Sequence, residues 1–216
     1  MSFQQLYKFL CIIAELSLLL PIALCFYKYR AFNNILKALL VFLILNLISD
    51  LISLTLVSDP IATNILFNIF TFFECSIIFF IYIQEYKTKS VKALIIILFT
   101  FFALYALKKF ILDGKYISDD SDISVFEAII VIFLSGVYFV KIIIDDNILQ
   151  LGKYSFYWIN LSFFLFFSAS LLIVENIEFL NRCDTTIACY LYSLYQITNI
   201  TCNILFSVGI WKTRKI

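Results

Sequence analysis

Long apolar runs occupy most of this chain, and they decide its solvent before they decide its fold. A helix that crosses a hydrocarbon core about 30 Å thick needs roughly 20 predominantly apolar residues, at a rise of about 1.5 Å each. Windows that meet this requirement run Phe3–Tyr27, Asn34–Val57, Ile61–Gln84, Val91–Phe110, Ile123–Ile144, Tyr154–Asn176 and Thr185–Trp211. The connections between them hold a few to about a dozen residues, as in ordinary helix bundles. The expected fold is all-α: a polytopic membrane protein, a seven-transmembrane-helix bundle forming one integral membrane domain over residues 1–216.

Composition removes the alternatives. Of 216 residues, 63% are hydrophobic and 14% are charged, whereas soluble domains carry about 25% charged residues. The polar surface needed to cover a globule in water is missing. Two prolines, four glycines, no histidine and a net charge of +1 exclude a collagen-like repeat, a disordered chain and a basic nucleic-acid binder. Periodicity does not separate strand from buried helix in such Ile- and Phe-rich text. Length does, since barrel strands would alternate and be half as long. Asp59-Pro60 reads as an N-cap followed by proline at the first helical position, and Ser90 and Asp184 read as caps of the fourth and seventh helices. The run Ser118–Asp122 is too polar for the bilayer and reads as a loop. The first window is too long for a secretory signal, holds Glu15 at its centre and lacks a small-residue cleavage site, so it reads as a retained helix.

Lysine and arginine orient the chain. With alternate loops on opposite sides, one side collects Lys28, Arg30, Lys37, Lys87, Lys89, Lys92, Lys141, Lys153, Lys212, Arg214 and Lys215. The other holds Lys8, Lys108, Lys109, Lys115 and Arg182. The positive-inside rule puts the larger set in the cytoplasm, so the N-terminus is expected outside and the C-terminus inside. Tyr154, Tyr157, Trp158 and Trp211 then read as inner aromatic-belt anchors, and Lys212–Lys215 as an anionic-lipid anchor.

Absent residues narrow the chemistry further. Without histidine there is no Ser-His-Asp triad, no His-Glu-x-x-His or three-histidine zinc site and no bis-His haem. No Cys-x-x-Cys pair and no glycine-rich phosphate loop occur, and the seventh window has no mid-membrane lysine for a Schiff base. No cofactor or metal is expected. Cys11, Cys25, Cys75 and Cys202 fall inside helices as small apolar residues, while a Cys183–Cys189 disulfide is left open, its geometry being awkward.

Polar residues inside the windows form stripes at helical spacing. Asn46, Ser49, Asp50 and Ser53 share one face of the second helix. Asn64, Asn68, Thr71 and Cys75 line the third, with Glu74 on the flank; Tyr192, Gln196, Asn199 and Asn203 line the seventh. Lys8, Cys11 and Glu15 align in the first helix, and Glu127, Ser135 and Tyr138 share one side of the fifth. Counted from the outer ends, Glu15, Asp50, Glu74, Gln196 and Asn199 lie roughly 12–21 Å deep. They form the candidate ligand-binding or proton-titrating layer, with Lys108 and Lys109 as the positive partner. Asn46, Ser49, Ser53, Asn68, Thr71 and Asn203 support it, and as amides and hydroxyls they equally fit interhelical glue at about 0.6 kcal/mol each. For Glu15, Asp50 and Glu74 an insertion cost of about 2.5–3.5 kcal/mol exceeds what glue returns, which favours function. Glu127 and Glu175 lie near the outer boundary and read as interfacial. Thr63–Ile69 echoes Thr198–Ile204, a weak internal repeat.

Three segments resemble a family. Asn68-Ile69-Phe70-Thr71-Phe72-Phe73-Glu74, Phe156-Tyr157-Trp158-Ile159-Asn160 and Asn203-Ile204-Leu205 with Gly209-Ile210-Trp211 are similar to motifs of small uncharacterised bacterial seven-helix integral membrane proteins. Pro21 followed by a basic loop fits as well. The resemblance implies the topology and gives weight to Glu74, but carries no activity.

The leading functional expectation is a receptor-like or accessory membrane protein with an outward-facing acidic pocket for a small molecule or lipid, read by a membrane signalling partner. The alternative is a proton-coupled small-solute transporter in which Asp50 or Glu74 titrates. A membrane lipid enzyme with paired carboxylates ranks below both, for want of phosphate or metal motifs.

Overall fold

The computed structural model describes residues 3–28, 33–56, 60–111, 122–144, 152–175 and 185–213. Among them are seven helices and no strand: α1 (Phe3–Tyr27), α2 (Asn34–Leu56), α3 (Pro60–Glu85), α4 (Lys89–Ile111), α5 (Asp122–Ile144), α6 (Ser155–Glu175) and α7 (Thr185–Lys212). Each coincides with an expected window to within two residues at either end. Asp59, Cys183, Asp184 and the run 118–121 lie outside the described residues, as do the side chains of Ser53, Asn64 and Glu175.

Helix starts follow local chemistry. Proline opens α3, where its missing N–H costs nothing. Asn33 caps α2, its Oδ1 accepting from the Leu36 amide at 2.9 Å. The expected cap of α4 is corrected. The helix already includes Ser90, and the Lys92 amide donates to the Thr88 carbonyl at 3.1 Å, so the start lies earlier. Inside the helices, hydroxyls donate back to the preceding turn: Thr71 to Phe67, Ser76 to Phe72, Thr100 to Ile96 and Thr201 to Ile197, all at 2.7–2.9 Å. Such bonds let Ser and Thr sit in apolar surroundings with the hydroxyl proton satisfied. α1 runs through Pro21 as one continuous helix.

Among the described residues six helices, α1 to α6, are long and apolar enough to cross a membrane. The side chains they expose agree with that: Phe101, Leu172 and Ile144 are 62%, 65% and 73% exposed, while Asn160, Ser162 and Ser135 are fully buried. Large apolar groups outside and hydrogen-bonded polar groups inside suit lipid rather than water. α7 differs. Its 28 residues span about 42 Å, ample for a crossing, but Gln196, Asn199, Asn203 and its serines, threonines and tyrosines keep it outside the apolar set.

The chain divides into two compact units, Met1–Ala31 with Val131–Ile216, and Phe32–Ile130. In the first, α7 packs against both α1 and α6. α1 and α7 run parallel: Tyr7 meets Tyr192 (ring centroids 6.1 Å), Ser17 meets Asn203, and Lys28 meets Trp211. α6 and α7 are antiparallel and close. Ser155 Oγ donates to the Gly209 carbonyl at 2.7 Å, and seven residues along each helix Ser162 Oγ donates to the Cys202 carbonyl at 2.8 Å. Phe163 stands edge-on to Phe206 between them. The C-terminal part of α5 joins through Asn160 Nδ2 to the Ser135 carbonyl (3.3 Å) and Tyr138 against Phe156 (4.8 Å).

In the second unit α2 packs on α3, and α3 on α4. An aromatic seam then links α3, α4 and the head of α5: Phe72 stacks on Phe102 at 6.3 Å, Phe102 on Phe126 at 6.2 Å, and Tyr105 tilts onto Phe126 at 5.1 Å. Lys109 closes the seam with a 2.8 Å ion pair to Asp122. Tyr86, in the turn after α3, is buried, and burial with Glu85 alongside pushes its phenol well above the usual range.

Candidate functional site

The most unusual chemistry lies in the second unit. α2 contributes Asn46 and Asp50, one turn apart on a face with buried Ser49. α3 contributes Glu74, next to the fully buried Cys75, and α5 contributes Glu127, which is only 3% exposed. The Asn46 side chain bonds to the Glu74 carboxyl while its Nδ2 also reaches the Phe42 carbonyl at 3.0 Å. Asp50 and Glu127 both stand close enough to Glu74 to repel its negative charge.

What the carboxyls lack is as telling. Among the described residues, Oε1 of Glu74 and Oε1 of Glu127 are both buried without a hydrogen-bond partner, and neither residue forms an ion pair. A buried polar atom left unpaired costs about 1–3 kcal/mol, more when charged. Two buried carboxylates within electrostatic reach of each other add like-charge repulsion that positive charge relieves. The arrangement is therefore suited to hold a proton, or a small cation, between α3 and α5. No group of three or more Asp, Glu or Cys with metal-holding geometry occurs among the described residues.

The other expected site residues fall as follows. Asp50 and Glu74 share this unit with Asn46, Ser49, half-buried Asn68 and buried Thr71, whose hydroxyl is used within α3. Lys108 is exposed, and Lys109 sits on Asp122 at the head of α5. Glu15, Gln196 and Asn199 belong to the first unit. There Asn199 Nδ2 reaches Gln196 Oε1 at 3.4 Å, while Asn199 Oδ1 is buried with no partner. Asn203 ties α7 to α1, donating to Ser17 Oγ at 2.8 Å and to the Ala14 carbonyl at 3.5 Å. Glu15 is exposed on α1, on the side away from that link.

Glu127 is the residue whose environment sequence reading did not give. Its position one to two turns into α5 reads as near the boundary by depth, and the structure adds that its side chain is buried, at 3% exposure. The signal was present in its spacing, because Glu127, Ser135 and Tyr138 share one face and all three are buried.

Among the described residues the chain is all-helical, and its six long apolar helices suggest the class of multi-pass helical membrane proteins. The chain matches no protein-family profile, no curated protein and no solved structure. Its site is read from its own chemistry.

Proposed function

We propose that the chain is a seven-span protein of a bacterial inner membrane, N-terminus outside and C-terminus in the cytoplasm, and that Glu74 and Glu127 form the proton-coupling element of a small-solute transporter. The observation that carries this reading is the pair of buried Oε1 atoms without partners, in helices whose length and apolarity suit lipid. Proton uptake removes the repulsion between the two carboxyls and lets one donate to the other; proton release restores it. A site that alternates between these conditions has two states of different energy, as coupled movement requires. Asp50 and Asn46 on α2, and Cys75 on α3, are the polar groups that face the pair.

α7 counts as the seventh span because polar contacts tie it to its neighbours: Asn203 donates to α1, and α6 serines donate to the Cys202 and Gly209 carbonyls. The lysine and arginine bias supports the orientation. A receptor-like reading comes second, favoured by Asn199, whose buried, unpartnered Oδ1 is an acceptor for a small ligand or lipid hydroxyl.

Infrared titration of the reconstituted protein tests the proton site. A protonated-carboxyl band that changes with pH and disappears in Glu74→Gln and Glu127→Gln is expected; a band indifferent to both substitutions removes the proposal. Proteoliposomes with an inward proton gradient, offered radiolabelled amines, amino acids and sugars, separate the two readings. Gradient-dependent accumulation marks the transporter, and saturable binding without accumulation the receptor.

A further inference from the structure

Glu15 lies twelve residues from each end of α1, about 18 Å from either, so on the membrane reading it stands at mid-bilayer. It is exposed, and it makes no hydrogen bond or ion pair among the described residues. The side chains exposed around it are Phe9, Ile12, Leu16 and Leu19, at 46–59%. α1 keeps its other side for α7, where Ala14 and Leu18 are buried and the Ala14 carbonyl receives Asn203.

A carboxyl at the bilayer centre costs about 2.5–3.5 kcal/mol to insert and ordinarily faces protein or water. A water-lined crevice would surround it with polar side chains, whereas the exposed neighbours within about one turn of Glu15 are Ile12, Leu16 and Leu19. A second copy of the chain is a poor match: a twofold axis along the membrane normal sets Glu15 against Glu15 at one depth. The nearest basic residue of the helix, Lys8, is seven residues or about 10 Å away. The charge that completes this face is positive, at the same depth, and presented on an apolar surface.

We propose that the Phe9–Leu19 face of α1 docks a transmembrane helix of a partner protein that carries a lysine or arginine near its midpoint, paired with Glu15. This rests on the membrane reading and is independent of the acid pair in the second unit. Apolar side chains at 9, 12, 16 and 19 supply the packing stripe, and Glu15 supplies selectivity, since an all-apolar helix leaves the carboxyl unpaired. The partner is where a signal or regulatory input would enter.

The test uses the full chain, fluorescently labelled in lipid vesicles, with synthetic polyleucine helices bearing one central lysine, one central glutamate or neither. Energy transfer should report association of the lysine helix at least about tenfold tighter than the all-leucine helix, the scale of an interhelical polar contact in designed peptides. The preference should vanish in Glu15→Leu, fall in Glu15→Gln and persist in Glu15→Asp. Circular dichroism on each variant shows whether the fold is intact, as expected at an exposed position. Equal association of lysine and leucine helices overturns the proposal, as does a lysine preference that survives Glu15→Leu. Transfer between two labelled copies of the chain that is abolished by Glu15→Leu also overturns it, in favour of self-association. Vesicle flotation after an alkaline wash is read beforehand: a chain that washes off refutes the membrane reading, and the docking face with it.

Discussion

Gly209 has no room for a side chain. A Cβ there would lie 2.8 Å from Ile159 Cγ1 and 3.1 Å from the Ser155 carbonyl oxygen, and the latter is backbone that cannot turn aside. Gly209→Ala should therefore push α7 off α6 and destabilise by about 1–3 kcal/mol, seen as a lower melting temperature in detergent. Glu127 should behave in the opposite way. Glu127→Met keeps the volume and removes an unpaired buried carboxyl, so stability should rise by about 1–3 kcal/mol while the titrating infrared band is lost. A destabilised Glu127→Met would make the carboxyl a structural element instead. Both residues also mark what was legible. The stripe containing Glu127 could be read from spacing, but not the direction in which the stripe turns. Glu15 makes the same point from the other side: its alignment with Lys8 and Cys11 was visible, its outward orientation was not. Gly209's close contact depends on Ile159, fifty residues away, and no local pattern reveals it.

Helices were the most legible level, because apolar runs of about 20 residues are too long for strands. Their ends were less so, since Asn33 and Thr88 act through side-chain and backbone geometry that composition does not encode. The polarity of α7 has a structural explanation in its two seams. Ser155 and Ser162 are seven apart, as are Cys202 and Gly209, so the two small-residue contacts recur on one face of each helix. Ser162→Leu should disrupt this seam and reduce the yield of folded protein, whereas Leu172→Ala, at a 65% exposed position of the same helix, should leave it unchanged in size-exclusion profiles. At the other seam, Lys28 donates to the carbonyls of Trp211 and Thr213 and stands 5.0 Å above the Trp211 ring, a cap on the last turn of α7. Lys28→Met should cost about 1 kcal/mol. Hydrogen–deuterium exchange should then quicken at the terminal amides of α7 and not at its start.

For the whole molecule, the decisive prediction is topological. α1 and α7 lie parallel, so the start of α1 and the end of α7 are at opposite ends of that pair. Reporter fusions should place a C-terminal tag in the cytoplasm and an N-terminal tag outside. Tags on one side would leave an even number of crossings and withdraw the seventh span. Charge bias yields an expected orientation because it sums over many lysines and arginines, and the fusions test that expectation. The convergence of particular acids did not sum in that way, and the membership of Glu15, Gln196 and Asn199 in a different unit from Asp50 and Glu74 was beyond sequence reading. The α1–α7 pairing also has a consequence for biogenesis. The partners of Ser17 and Lys28 are more than 180 residues downstream. At roughly 5–20 residues per second of synthesis, α1 waits on the order of ten to forty seconds before Asn203 and Trp211 exist. Throughout that interval α1 lacks its partner, with its α7-facing side open to chaperones, to proteases and to neighbouring helices.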